Sequence, residues 1–249
     1  MSEPAARWKR AALRAGAGVP LRAFRRRFEP AHVRRDRADR AQLQRLIAEV
    51  LREDSGAIDV GCHDGGVLAD IVRAAPRGRH LAFEPLPGPC ARAAERFPAV
   101  DVRCAALSDR AGEREFVHVT TLPGWSGFRA RPYPGRQRSE TIRVRVERLD
   151  DVLPPDCVPA LIKVDVEGAE LEVLRGGLQT IVRHRPVIAF EHGLGSADHY
   201  GTTPADVWEL LARTAGLRIF GSDGAGPFSL PEFEAQFARA ERVNFVARP

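Results

Sequence analysis

Lysine is almost missing from this chain of 249 residues: Lys9 and Lys163 are the only two, and arginine supplies the rest of the 38 basic side chains. That skew reads first as coding bias and says little about partners. Long apolar runs are also missing. No stretch approaches the roughly 18 consecutive apolar residues of a membrane span, and the N-terminus lacks the apolar core of a secretory signal, so a soluble, cytoplasmic protein is expected. Cysteine is scarce. Cys62, Cys90, Cys104 and Cys157 stand apart without a CxxC pair, which argues against a zinc cluster or a disulfide framework and leads us to expect reduced, mostly buried thiols. Two phosphate-binding signatures are absent as well, GxGxxG and GxxxxGK[ST]. There is neither a collagen-like glycine excess nor the apolar depletion of disordered chains, since 44% of residues are hydrophobic.

What is present is unevenly distributed. The net charge of +5 conceals an asymmetry: residues 1–52 carry fourteen basic and five acidic side chains, and the remainder is slightly acidic. Leu43, Leu46, Ile47 and Val50 fall at helical spacing and predict a helix over 36–52. Upstream, Trp8, Leu13, Leu21, Phe24 and Phe28 alternate with arginines. This segment reads as a solvated arm or cap, with peripheral contact to a membrane or another anionic surface as the second reading. The boundaries that follow are an arginine-rich helical extension, 1–52, and a single domain, 53–249.

From residue 56 short apolar runs alternate with helix-compatible segments. The strands expected are 57–60, 80–83, 100–104, 161–164, 186–190, 217–220 and 243–246, and Gly176-Gly177 stops the helix that begins near Ala169. Strands alternating with helices indicate an α/β fold with a mostly parallel sheet. Residues 113–148 interrupt the alternation and read as a β-hairpin-like insertion over the edge or mouth of the sheet.

Ligands of such sheets bind at the carboxyl ends of strands. Four acids stand there: Asp59, Glu84, Asp165 and Glu191. Singly, each would read as a helix cap; in succession they suggest a site. Gly61-Cys62-His63-Asp64-Gly65 forms a strand-to-helix glycine turn, where a ligand approaches the backbone too closely for a Cβ. An acid at the strand end repels a pyrophosphate but suits the ammonium and cationic centre of S-adenosylmethionine. Glu84 follows about twenty residues later, the distance at which an acid takes a ribose cis-diol. Each carboxylate oxygen can accept one hydroxyl.

The stretch from Ile162 to Gly176, IKVDVEGAELEVLRG, resembles the signature of the FkbM family of S-adenosylmethionine-dependent methyltransferases. Supporting similarities are Ile58-Asp59-Val60-Gly61, Phe83-Glu84-Pro85, Ala106-Leu107-Ser108-Asp109, Leu149 to Leu153 and Glu191-His192. The resemblance covers residues 56 to about 195. It implies a Rossmann-like class I methyltransferase sheet of seven strands with the last reversed, and O-methylation of sugar or polyketide-type hydroxyls. His63 and Asp64 depart from the family's usual small polar residues. No acid follows the third strand, so adenine recognition falls to backbone near Ala106 and Leu107, with Leu86 or Cys104 as packing surfaces.

Methyl transfer to an alcohol needs an oxygen held about 3 Å from the methyl carbon, and a base for its proton. Asp165 and Glu167, two residues apart, would share one side of a continuing strand. His192, Glu167 and Glu191 are therefore the candidate catalytic residues. Asp59, Gly61, His63, Gly65, Glu84, Ala106, Leu107 and Asp165 are the candidate cofactor contacts. Glu170 and Glu172 read as helix-surface residues. Trp125 could lid the site or simply pack the hairpin, and Tyr200 could border it or lie on a surface loop. A divalent ion such as Mg²⁺ in the carboxylate cluster is the less favoured option.

The sequence thus predicts an O-methyltransferase acting on a small-molecule or glycan hydroxyl, with no nucleic-acid partner. The other readings are an NAD-dependent nucleotide-sugar dehydrogenase or epimerase, and a non-catalytic cofactor-binding scaffold.

Overall fold

The computed structural model describes residues 31–240 and 242–249, with side chains from Arg34 onward. The arm carrying Trp8 to Phe28 lies outside the described residues. Two compact units divide the chain, residues 1–40 and 41–249. Helix α1 (Ala31–Val50) begins in the first and continues into the second. From residue 41 on, its stripe of Leu43, Leu46, Ile47 and Val50 is the face that it buries, against Ala57, Ile71, Leu161, Ala189 and Val246.

The larger unit continues with β1 (Gly56–Val60), α2 (Gly66–Ala74), β2 (His80–Phe83), α3 (Pro87–Arg96) and β3 (Asp101–Arg103). Next come β4 (Ala106–Leu107), β5 (Gly112–Val119), β6 (Ser139–Glu147), α4 (Leu149–Val152) and β7 (Pro159–Val164). It closes with α5 (Glu170–Gly176), α6 (Leu178–His184), β8 (Val187–Glu191), α7 (Pro204–Trp208), β9 (Arg218–Gly221), α8 (Leu230–Arg239) and β10 (Asn244–Arg248).

Seven strands form one sheet in the order β3-β2-β1-β7-β8-β10-β9. Neighbours from β3 to β8 run parallel, whereas β10, last in the chain, is antiparallel to both β8 and β9. The apolar runs are continuous because both faces are covered. Ile58, Phe83, Ile162 and Ile188 point into one core, and Ala57, Leu161 and Ala189 into the other. The strand order changes direction between β1 and β7, so their carboxyl ends open the crevice where such sheets bind ligands.

The insertion is more than a hairpin. β5 and β6 pair antiparallel from Gly112↔Val146 to Val119↔Ser139, and β6 also pairs parallel with β4, which makes a second sheet of three strands. The helix that begins near Ala169 stops at Gly176, as expected, and a second helix, α6, starts directly after Gly177. The thiol expectation also needs correction. Cys90 on α3 and Cys104 after β3 are joined in a disulfide with their Cα atoms 5.5 Å apart, and only Cys62 and Cys157 are free and buried. A separation of 14 residues carries no pairing signal, and the fold brings the two together. Among the described residues no helix is long and apolar enough to cross a membrane.

Candidate active site

A cleft opens at the carboxyl ends of β1, β2 and β7, lined by Gly61, His63, Glu84, Leu86, Ala105, Ala106, Leu107, Asp165 and Glu167. The insertion supplies its outer wall through Phe116, Pro123, Gly124, Ser126 and Phe128.

Beneath the floor lies a buried ion pair. Asp59 and Lys163 are register partners on β1 and β7, so their side chains share a face of the sheet. Lys163 Nζ stands 3.2 Å from Asp59 Oδ1 and 3.6 Å from Asp165 Oδ2, and donates to the Gly61 carbonyl at 2.8 Å. The carboxylates of Asp59 and Asp165 hold the Lys163 ammonium above its ordinary pKa despite burial. Asp59 is 0% exposed and does not line the cleft. The cation it faces is therefore Lys163, not the ammonium of a ligand, and the pair's contribution is to fix the glycine turn. Asp165, with its side chain 49% exposed, is the carboxylate of this group that reaches the cleft.

Gly61 adopts φ +75°, and a Cβ there would overlap the carbonyl oxygen of Asp165, so the turn closes only with glycine. Gly65 is placed against the Phe97 ring and away from the cleft.

Glu84 is 5% exposed. Its two oxygens accept from the backbone N–H of His63 and of Leu86, each at 2.9 Å. Burial raises its pKa, and those two hydrogen bonds pull it back. A carboxylate offers about four acceptor positions, so one lone pair remains on each oxygen for a diol. His63, held at φ +50°, also lines the cleft, and its Nε2 is buried without a hydrogen-bond partner. Leu86, Ala105, Ala106 and Leu107 make a narrow apolar slot beside Glu84. An oriented carboxylate, an apolar slot and an orphaned ring nitrogen fit an adenosine-type ligand.

Past Val164 the chain leaves the extended conformation: Glu167 has φ +61° and Gly168 φ +110°. Asp165 and Glu167 both line the cleft, as expected, but the turn after the strand brings them there and not strand alternation, which stops at Val164. A Cβ on Gly168 would come within 2.6 Å of the Ser196 carbonyl and 2.7 Å of the Tyr200 ring. Glu170 is not a surface residue. It is buried under this turn, accepts from the N–H of Val166 and of Gly168 at 3.1 Å, and is pushed up to about 7 by burial. Glu172 is paired with Arg114 and accepts from the Ser108 hydroxyl at 2.7 Å.

Glu191 ends β8, two residues past Ala189, the register partner of Lys163, and so faces the same side as Lys163. Desolvation raises its carboxyl to about 8, reinforced by the charges of Asp165 and Glu170 and opposed by Arg131 and Lys163. It does not line the cleft wall itself. His192 is displaced further. Its ring is 1% exposed and stacks between Phe233 and Phe237, with centroids at 5.6 and 4.9 Å, and burial pushes it down to about 4. The expected base at His192 is thus a neutral ring in the aromatic core, because alternation along β8 turns it to the face opposite Glu191, the face of Ile188 and Phe190. Tyr200 packs over Gly127 and Gly168, and its hydroxyl accepts from the Arg129 N–H at 3.2 Å. Among the described residues no group of three or more His, Cys, Asp or Glu is arranged to hold a metal ion.

Lys163, Arg131 and Glu170 were not foreseen as site residues. Lys163 did carry a signal, a lysine inside a buried apolar strand of a chain that has one other lysine. Arg131 carried none.

A parallel sheet with a reversed last strand, a glycine turn after β1 and an acid after β2 define a Rossmann-like class I methyltransferase. Residues 59–219 match the methyltransferase FkbM domain, well over half of the chain, and the chain belongs to that family. Membership implies S-adenosylmethionine as the methyl donor. Among curated relatives, 2-O-methyltransferase NoeI of Sinorhizobium fredii is 29% identical over 159 residues, covering 57% of this chain and 65% of NoeI. AMB antimetabolite synthetase AmbE of Pseudomonas aeruginosa is 32% identical over 169 residues, covering 51% of this chain and 8% of AmbE. This chain thus spans just under two thirds of the one relative and a small part of the other. The crystal structure of methyltransferase FkbM from Methylobacillus flagellatus superposes with a TM-score of 0.50 at 16% identity, covering 79% of this chain and 44% of that one, and shares its fold.

Proposed function

We propose that the chain is an S-adenosylmethionine-dependent O-methyltransferase whose acceptor is a hydroxyl of a sugar, glycan or secondary metabolite. The observation that carries this reading is Glu84, a buried carboxylate pre-oriented by two backbone N–H groups beside an apolar slot. Bound S-adenosylmethionine would supply an electrophilic methyl group. Glu84 would take the ribose hydroxyls, backbone and side chains of Leu86 to Leu107 would flank the adenine, and Asp165 with the Gly61 turn would face the methionine portion. Oxygen as nucleophile is supported by NoeI, named a 2-O-methyltransferase.

Deprotonating an alcohol asks for a base whose pKa lies near the working pH. Of the three expected candidates, Glu191 meets that condition, raised to about 8 at the sheet's carboxyl edge behind the cleft wall, from where it would reach the acceptor proton through one bridging water. Glu167, on the cleft wall, orients the acceptor. His192 keeps no role in proton transfer. The reading is tested by incubating the protein with methyl-labelled S-adenosylmethionine and hydroxyl acceptors fractionated from cell extract. Transfer of label to an acceptor oxygen, identified by mass spectrometry, is expected. Displacement of S-adenosylhomocysteine by NAD, with no methyl transfer, would instead favour a nicotinamide enzyme.

A further inference from the structure

The insertion does not merely wall the cleft; it is tied to Glu167, a residue that lines it. Arg131 lies in the loop between β5 and β6, yet its side chain is only 7% exposed. One guanidinium nitrogen is paired with the carboxylate of Glu167, and another donates to the Gly195 carbonyl at 3.0 Å. The guanidinium carbon sits 4.6 Å from the centroid of the Trp125 ring, which belongs to the same insertion. Arg129 makes a parallel tie, donating from its guanidinium to the His199 carbonyl at 2.8 Å. Three segments meet at Arg131: the insertion, the turn after β7 and the loop after β8.

We propose that Arg131 is the positioning residue of the acceptor side, fixing Glu167 at the cleft and locking the insertion onto the loop after β8 so that the acceptor hydroxyl is presented to the carboxyl edge of β7 and β8. The proposal rests on reading the cleft as a methyl-transfer site. Two observations separate this from plain loop packing. Glu167 is a non-glycine residue held at φ +61°, and residues in such backbone states persist only where surrounding contacts over-determine them. The third guanidinium nitrogen of Arg131, Nε, is buried without a partner, as is the hydroxyl of Tyr133, whose ring packs edge-on against Trp125 with centroids 6.4 Å apart. Buried donors left open in this way ask for more than loop packing.

Arg131 further belongs to the set of charges that face Glu191. Asp165 and Glu170 favour the protonated carboxyl, and Arg131 and Lys163 favour the ionised one. Removing the Arg131 charge therefore moves the Glu191 ionisation to higher pH.

The test compares Arg131→Gln, Arg131→Lys and Glu167→Gln with the unaltered protein by three readouts: S-adenosylhomocysteine affinity, hydrogen exchange, and the pH profile of methyl transfer. For Arg131→Gln we expect unchanged affinity and faster exchange in segments 123–138 and 193–200 but not in 56–107. Turnover should fall by about 10²-fold, as for a reacting group slightly misplaced, with the rising limb of the profile shifted to higher pH. Arg131→Lys should restore the position of that limb but only part of the turnover, since an ammonium cannot pair, donate and stack together. Glu167→Gln should loosen the same two segments and leave the limb in place, and it carries the test should Arg131→Gln fail to fold. Unchanged exchange in both segments for Arg131→Gln or Glu167→Gln would overturn the proposal, as would loss of S-adenosylhomocysteine affinity in step with turnover. The exchange readout needs no acceptor, so absence of methyl transfer by the unaltered protein counts against the functional reading and not against the locking role.

Discussion

The two walls of the cleft are built on different plans. On the cofactor side, Glu84 is gripped by residues 21 and 2 positions away, and Gly61 meets the end of its neighbouring strand. On the acceptor side the ties are arginine side chains of the insertion: Arg131 to Glu167 and to the Gly195 carbonyl, and Arg129 to the His199 carbonyl. The first wall is made of backbone hydrogen bonds, which depend little on which side chains lie elsewhere. The second is made of arginines on an insertion, so its chemistry can change without disturbing the sheet.

The largest effect should come from the pair that underlies both walls. Lys163→Met leaves Asp59 buried without its cation and should cost about 3–5 kcal/mol of stability in denaturant unfolding, enough to lose both walls together. Glu84→Ala should separate them. Its loss of charge-assisted hydrogen bonds, worth roughly 1.5–3 kcal/mol, should lower S-adenosylhomocysteine affinity on the order of ten- to a hundredfold by calorimetry while the acceptor side stays intact. Glu191→Gln should do the reverse, abolishing the limb of the rate profile that rises toward about pH 8 with cofactor affinity unchanged.

The same raised carboxyls make a prediction for stability. Glu170 at about 7 and Glu191 at about 8 bind protons more tightly folded than unfolded. Their contribution is complete below the ordinary carboxylate range and is lost as pH rises through those values, so stability should decline from mildly acidic to mildly basic pH. Glu170→Gln, which retains an acceptor for Val166 and Gly168, should flatten that decline. The smallest effect should be that of His192→Phe. It removes an unpartnered nitrogen from an aromatic core, and both melting temperature and turnover should match or exceed those of the unaltered protein.

The contrast between the walls also explains what could be read in advance. Strands announced themselves as apolar runs because both faces of the sheet are buried, and Glu84 was found because a fixed chain length separates it from the glycine turn. Asp59 was placed at the right strand but given the wrong cation, since only the register of β1 against β7 shows that Lys163 stands opposite it. His192 was misjudged because adjacency to Glu191 in a motif was read as a shared site, whereas alternation along a strand sends neighbouring side chains to opposite faces. Arg131 was illegible: in a chain whose loops are full of arginine, nothing local marks the one that is buried.

The central claim is that this cleft binds S-adenosylmethionine through Glu84 and uses Glu191 separately, for proton transfer. Calorimetric titration of S-adenosylhomocysteine into the unaltered protein, Glu84→Ala and Glu191→Gln tests it most directly. The account predicts binding by the unaltered protein and by Glu191→Gln with equal affinity, and a large loss for Glu84→Ala. Equal affinity in all three proteins, or no binding by the unaltered one, would contradict it.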